Sequence, residues 1–206
     1  MTKAKKRGGA KSGAKRGGAK RVKSAATPAK ATPTKATVGG AWDAVFAPRK
    51  PGERRYWLVK SEPEVFSFDD LLKAPQQTTT WNGVRNFAAR NFLRDGMELG
   101  DQVFYYHSMS GEPGIVGICE VAREGYPDTT AFDPKSETFD PKSDPSAPQW
   151  FMVDLRAVER LPRAVTLQEL KTQPALKTMA LLRIGRLSVS PVTADEWRTI
   201  LDLSRR

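Results

Sequence analysis

Residues 54–63 read Arg-Arg-Tyr-Trp-Leu-Val-Lys-Ser-Glu-Pro (RRYWLVKSEP). The aromatic and β-branched run at 54–60 predicts a strand. It halts at Ser61-Glu62-Pro63, because proline biases the residue before it away from helical backbone. Ser67-Phe-Asp-Asp70 then opens a short helix through Lys73, with Ser67 as N-cap and Leu71 and Leu72 turned inward. Thr78–Trp81 predicts a second strand, ended by the turn dipeptide Asn82-Gly83.

The same reading extends to the C-terminus. Asn86 caps a helix over 87–94, whose buried stripe is Ala88, Ala89, Phe92 and Leu93, with Arg90 and Arg94 one turn apart on another face. Gln102–His107 and 115–121 predict a hairpin joined by Gly111-Glu-Pro-Gly114. Residues 150–161 predict a longer strand stopped by Pro162. Two capping boxes follow, Thr166-Leu-Gln-Glu169 and Thr193-Ala-Asp-Glu196, the second with Trp197, Ile200 and Leu201 inward. Strands at this spacing, with short helices between them, imply an α+β domain around a mixed, partly closed sheet.

Charge divides the chain. Of 206 residues, 34 are Lys or Arg and 23 Asp or Glu, a net charge of +11. Residues 1–50 hold 14 of the bases and one acid, Asp43, so 51–206 is left with a net charge of −2. All 18 aromatic residues lie at or after Trp42. The expected organisation is therefore a disordered Lys/Arg/Ala/Gly-rich tail and linker over 1–50, and one folded domain over 51–206. Within the tail, Lys5, Lys6, Arg7, Lys15, Arg16, Lys20 and Arg21 are expected to hold phosphate by counterion release, without sequence preference.

Composition excludes several classes. With one cysteine, Cys119, and one histidine, His107, neither an internal disulfide nor a zinc site is expected, and no metal or cofactor is implied. No apolar run approaches the ~20 residues of a membrane span. An intracellular protein is expected, cytoplasmic or nucleoid-associated in a bacterium and nuclear in a eukaryote. P-loop, GxGxxG, HExxH and GxSxG patterns do not occur. Cys119 lies in IVGICEV, where alternation gives it a packing role. Asp69/Asp70 and Asp195/Glu196 sit at helix starts, where the helix dipole accounts for them. A binding protein is expected, not an enzyme.

What remains is a set of polar residues at element ends, interleaved with aromatics. Lys60-Ser61 ends the first strand, Trp81-Asn-Gly-Val-Arg-Asn86 leads into a helix, and His107-Ser108 ends another strand. Tyr126-Pro127-Asp128 opens a long Pro- and Asp-rich segment that Trp150 closes. That segment repeats FDPKS at 132–136 and 139–143, which reads as two similar turns, each anchored by one Phe. Each residue also has a plain account: Trp81 and Trp150 as core, Asn86 as a cap, Arg85 as a solvated charge. Together they suggest a pocket with indole faces for a planar ligand and with Lys60 and Arg85 for oxygens or phosphate.

The blocks YWLVKSEP (56–63), WNGVRN (81–86), FYYHS (104–108), the doubled FDPKS with its following tryptophan, and RLSVSPVTADEW (186–197) occur in order across 54–204. Together they resemble the EVE domain family. The resemblance implies a PUA-like fold, a small curved β-barrel with short flanking helices, preceded here by the basic tail. It also implies a nucleic-acid reader that takes a modified base into an aromatic-lined pocket. We expect that base to be a modified cytosine, in DNA ahead of RNA. By motif match the resemblance nominates Lys60 and Ser61 for the pocket wall and Trp81 as a stacking face. Asn82, Val84, Arg85 and Asn86 become rim and polar contacts, with His107 and Ser108 beside them. Tyr126 and Trp150 follow from their position around the loop, and Arg90 and Arg94 would place phosphates nearby. The alternatives are an RNA reader, an enzyme acting on a nucleotide through His107, and a polycation coating DNA with an inert domain.

Overall fold

Alternation along the strands decides where the core sits. In the computed structural model, which describes residues 42–109 and 111–206, β1 (Tyr56–Ser61) sends Trp57 and Val59 to one face and Leu58 to the other. β3 (Gln102–His107) divides Val103 and Tyr105 from Phe104 and Tyr106 in the same way. Both faces of these strands are therefore buried, each fully enclosed aromatic or leucine contributing ~1.5–3 kcal/mol.

These strands join β2 (Thr78–Trp81), β4 (Gly114–Pro127), β5 (Phe151–Thr166) and β6 (Val189–Val192) in one sheet of order β2-β5-β4-β3-β1-β6. β1 and β3 run parallel, with Ser61 opposite His107. The other pairs are antiparallel. The α+β class and the mixed sheet agree with expectation. Closure differs: β2 and β6 are edges, so hydrogen bonding does not complete a barrel.

One core packs Trp57, Tyr105 and Cys119 against Phe68, Trp81, Phe92 and Leu93. The other packs Leu58, Phe104 and Ile118 against α3 (Leu167–Thr172), α4 (Ala180–Arg183) and α5 (Ala194–Ser204). In it Trp197 stacks on Phe104 with ring centroids 3.7 Å apart. Burial pushes the Cys119 thiol well above its ordinary value, as a packing residue's should be.

Capping follows the local sequence. α1 (Phe68–Lys73) begins with a reciprocal box between Ser67 and Asp70, and Thr166 and Thr193 open α3 and α5 likewise. Asn86 caps α2 (Phe87–Asn91), its Oδ1 accepting from the Ala89 N–H at 3.1 Å. The helix expected to reach 94 instead passes into a π turn at Phe92–Gly96. Ala88 is consequently exposed, while Ala89, Phe92 and Leu93 are buried. In α5 Trp197, Ile200 and Leu203 are buried, and Leu201 is half-buried.

Two further expectations are corrected. β4 continues to Pro127, and β5 passes through Pro162 to Thr166. Register slips between Ile115↔Val165 and Gly117↔Arg160, so Pro162 sits in a bulge where its missing N–H breaks no ladder bond. β6 has little strand signal because it is four residues long and contains Pro191, which an edge strand tolerates.

Residues 42–50, assigned by charge to the tail, pack on the domain. Trp42 meets Phe92 edge-on and Phe46 stacks on it, both with centroids 5.8 Å apart. Arg49 pairs with Asp101, which is 1% exposed. Charge averaged over fifty residues masks the apolar set Trp42, Val45 and Phe46. The tail residues expected to hold phosphate, Lys5, Lys6, Arg7, Lys15, Arg16, Lys20 and Arg21, lie outside the described residues.

Candidate functional site

β1 and β2 are separated by three strands in the sheet, yet both line one cleft of about 720 Å³. Lys60 and Ser61 come from the end of β1, and Val65 and Phe66 from the turn after it. Thr79, Thr80 and Trp81 come from β2, followed by residues 82–85; Glu62, Thr138 and Ser188 complete the lining.

Each wall is held from behind. The Lys60 N–H donates to the Ser188 carbonyl at 2.9 Å and its Nζ to the Gly185 carbonyl at 3.2 Å. Burial lowers the Lys60 pKa from its ordinary value. Ser61 Oγ and the Tyr105 hydroxyl both donate to the Phe66 carbonyl, at 2.7 and 2.8 Å, which fixes the turn that presents Val65. Trp81 is 9% exposed and packs edge-on against Tyr105 at 5.5 Å. Asn82 Nδ2 donates to Thr80 Oγ1 at 3.2 Å on the exposed rim, beside buried Val84.

Arg85 is neither solvated nor free. Its NH1 donates to Asp128 at 2.7 Å, its Nε to the Thr138 carbonyl at 2.9 Å, and it lies 5.5 Å from the Trp150 ring centroid. Burial alone would raise the Asp128 pKa, but donors from Arg85, Thr130 and the Gly83 N–H hold it below the ordinary carboxylate value. Gly83 has φ +74°, and a Cβ there would sit 2.9 Å from Thr138 Cγ2, so the turn requires glycine.

The cleft lining does not include the other nominated residues. Asn86 is the α2 cap. His107 Nε2 accepts the Phe68 N–H at 3.0 Å, satisfying a donor at the start of α1. Ser108 donates through both N–H and Oγ to the Ser61 carbonyl, at 2.8 and 3.2 Å. Tyr126 donates to Asp154. Trp150 donates to Asp140 at 2.6 Å and stacks on Phe87 at 5.1 Å, closing the long loop from behind. Arg90 donates to the Gln149 carbonyl at 2.8 Å, and Arg94 holds Asp95 at 2.6 Å.

The doubled FDPKS makes two like turns, in which Asp133 and Asp140 accept from the N–H groups of Lys135 and Lys142. Phe139 is 39% exposed and anchors little. Thr138, between the two copies, is the residue that reaches the cleft. The sequence reading overlooked it, together with Glu62, Val65, Phe66, Thr79, Thr80, Gly83 and Ser188. For Thr138 the signal available was the spacing of the repeat itself.

Among the described residues, no group of three or more His, Cys, Asp and Glu is placed to hold a metal ion, and no helix is long and apolar enough to cross a membrane. Residues 55–203 match the EVE domain. Thymocyte nuclear protein 1 of Gallus gallus is 45% identical over 165 residues, covering 72% of this chain and 68% of that protein. The Homo sapiens protein of the same name is 40% identical over 168 residues, covering 73% and 74%. Among solved structures, human THYN1 in complex with 5-methylcytosine containing DNA matches with a TM-score of 0.71 at 43% identity, covering 74% of this chain and 98% of that one. A hypothetical protein from Leishmania major matches with the same TM-score at 48% identity, covering 76% and 98%. On the extent of the domain match and the identity of these relatives, the chain belongs to the EVE domain family.

Proposed function

We propose that this chain reads a modified cytosine in DNA, taking the base into the cleft between β1 and β2. The observation that carries the reading is the human relative, whose solved complex contains 5-methylcytosine DNA and whose chain is covered almost end to end. The cleft, at about 720 Å³, falls within the range of small-ligand sites. Trp81 and Val84 offer it apolar surface, and Lys60, Thr80 and Asn82 offer polar groups to a base edge.

The energetics set what discrimination to expect. Extruding a base costs a few kcal/mol, and contact with an aromatic wall returns ~1–3 kcal/mol. A methyl group buried on apolar surface adds ~0.8 kcal/mol, so methylation should change affinity several-fold. The basic tail would supply phosphate affinity that does not depend on the base. Binding without turnover is supported by His107, which uses Nε2 on the Phe68 N–H. In a eukaryotic source we place the protein in the nucleus, in keeping with the name its relatives carry.

The test measures binding of the full chain to matched duplexes with cytosine or 5-methylcytosine. A preference for the methylated duplex is expected, and Trp81→Ala should lose it while keeping non-specific affinity. Trp81→Phe serves as a variant that preserves packing on Tyr105. Equal affinity of the unaltered chain for both duplexes overturns the reading.

A further inference from the structure

We infer that the end of α4 and the loop from it to β6 carry the phosphate backbone of the bound DNA past the mouth of the cleft, with Arg183 and Arg186 as the contacting cations. The inference rests on the DNA-binding reading above.

Two acid-free, cation-bearing stretches stand out in the domain, 71–94 and 170–194. Sequence alone ranks them equally. The structure separates them. In the first, Arg85 is held by Asp128, Arg94 by Asp95, and Arg90 by the Gln149 carbonyl. In the second, Arg183 and Arg186 are exposed, and among the described residues neither forms an ion pair or a side-chain hydrogen bond. Elsewhere Arg49, Arg156, Arg160, Arg163 and Arg198 each hold a carboxylate.

Their place in the fold gives these two cations a partner. Gly185 receives Lys60 Nζ, and Ser188 receives the Lys60 N–H and itself lines the cleft. Arg186 thus lies between the two residues that grip Lys60, two positions before Ser188 in the cleft lining. Arg183 ends α4, where the helix dipole alone favours a cation, so Arg186 bears more of the argument. A nucleotide extruded into the cleft turns about its flanking phosphates, which must be held while it does so. A guanidinium fork suits that contact, pairing two phosphate oxygens at once.

The test is a salt titration of the full chain on a 5-methylcytosine duplex and its unmodified counterpart. For Arg183→Gln/Arg186→Gln we expect the log–log salt slope to become shallower by about two, at roughly 0.9 per phosphate contact. Affinity should fall alike on both duplexes, leaving the methyl preference intact, and Arg183→Lys/Arg186→Lys should restore the slope. An unchanged slope in the Gln pair overturns the inference. Failure of the DNA-reading proposal is distinguishable, since it appears as a missing methyl preference in the unaltered chain whatever the Gln pair does to the slope.

Discussion

Arg85 and Asp128, 43 residues apart in the chain, form a 2.7 Å ion pair whose carboxylate is wholly buried. The pair ties the turn that follows β2 to the start of the long loop, and so fixes one side of the cleft. Arg85→Ala leaves Asp128 charged and enclosed with fewer donors. Losing one partner of a buried pair costs ~3–5 kcal/mol, and the partial exposure of Arg85 puts the expected loss near the lower end. Urea unfolding measures it, and a loss within ordinary surface-mutation scatter would contradict the clamp.

The Phe66 carbonyl offers a test of coupling. Tyr105→Phe or Ser61→Ala should each cost ~0.5–1.5 kcal/mol, because the other hydroxyl still serves that oxygen. Removing both should cost more than the sum of the two, since the carbonyl then loses both side-chain donors. A double-mutant cycle in urea reads the excess, and strict additivity would mean the two hydroxyls act independently.

Truncation separates tail from domain. Deleting residues 1–41 should leave thermal stability unchanged while weakening binding to methylated and plain DNA alike. Deleting 1–50 also removes Trp42 and Phe46 from Phe92 and Arg49 from Asp101. Loss of Arg49 leaves a buried carboxylate without its guanidinium, so a drop of several kcal/mol is expected. Equal melting temperatures for the two truncations would return 42–50 to the tail.

His107 predicts a window of pH sensitivity. Burial holds its pKa below the ordinary 6.5, against the opposing charge of Glu64. The folded state thus favours the neutral ring, which accepts the Phe68 N–H. Its contribution is complete above 6.5 and is lost as pH falls from there through the lowered value. The depressed carboxylates Asp70, Asp128 and Asp140 lose their contributions only below their ordinary 3.8. Stability should therefore decline in a step beginning near pH 6.5, and His107→Asn should abolish that step but not the acid one.

The resemblance in the blocks at 56–63, 81–86, 104–108 and 186–197 made the family legible. Ser67, Asn86, Thr166 and Thr193 declared their helices because a cap is satisfied within three residues of itself. The two-faced burial of β1 and β3 was likewise written in unbroken apolar runs. Less legible were the passage of β5 through Pro162 and the packing of Trp42 and Phe46, which depend on partners remote in the chain.

At the cleft the division is sharper. The residue types were visible in the motifs, and Lys60, Trp81, Asn82 and Val84 do meet around one space. Which polar groups were already engaged was not visible. His107, Ser108, Trp150 and Arg94 look as available in sequence as Lys60, yet each is hydrogen-bonded away from the cleft, whereas Lys60 lines it and keeps further Nζ donors beyond its bond to the Gly185 carbonyl. By itself the sequence determined most of the elements, because helix caps and strand alternation are set by near neighbours. Only the tertiary structure decided which side chains remain for a ligand, because a hydrogen bond from Arg85 to Asp128 or from Trp150 to Asp140 exists only once the chain has brought the two together.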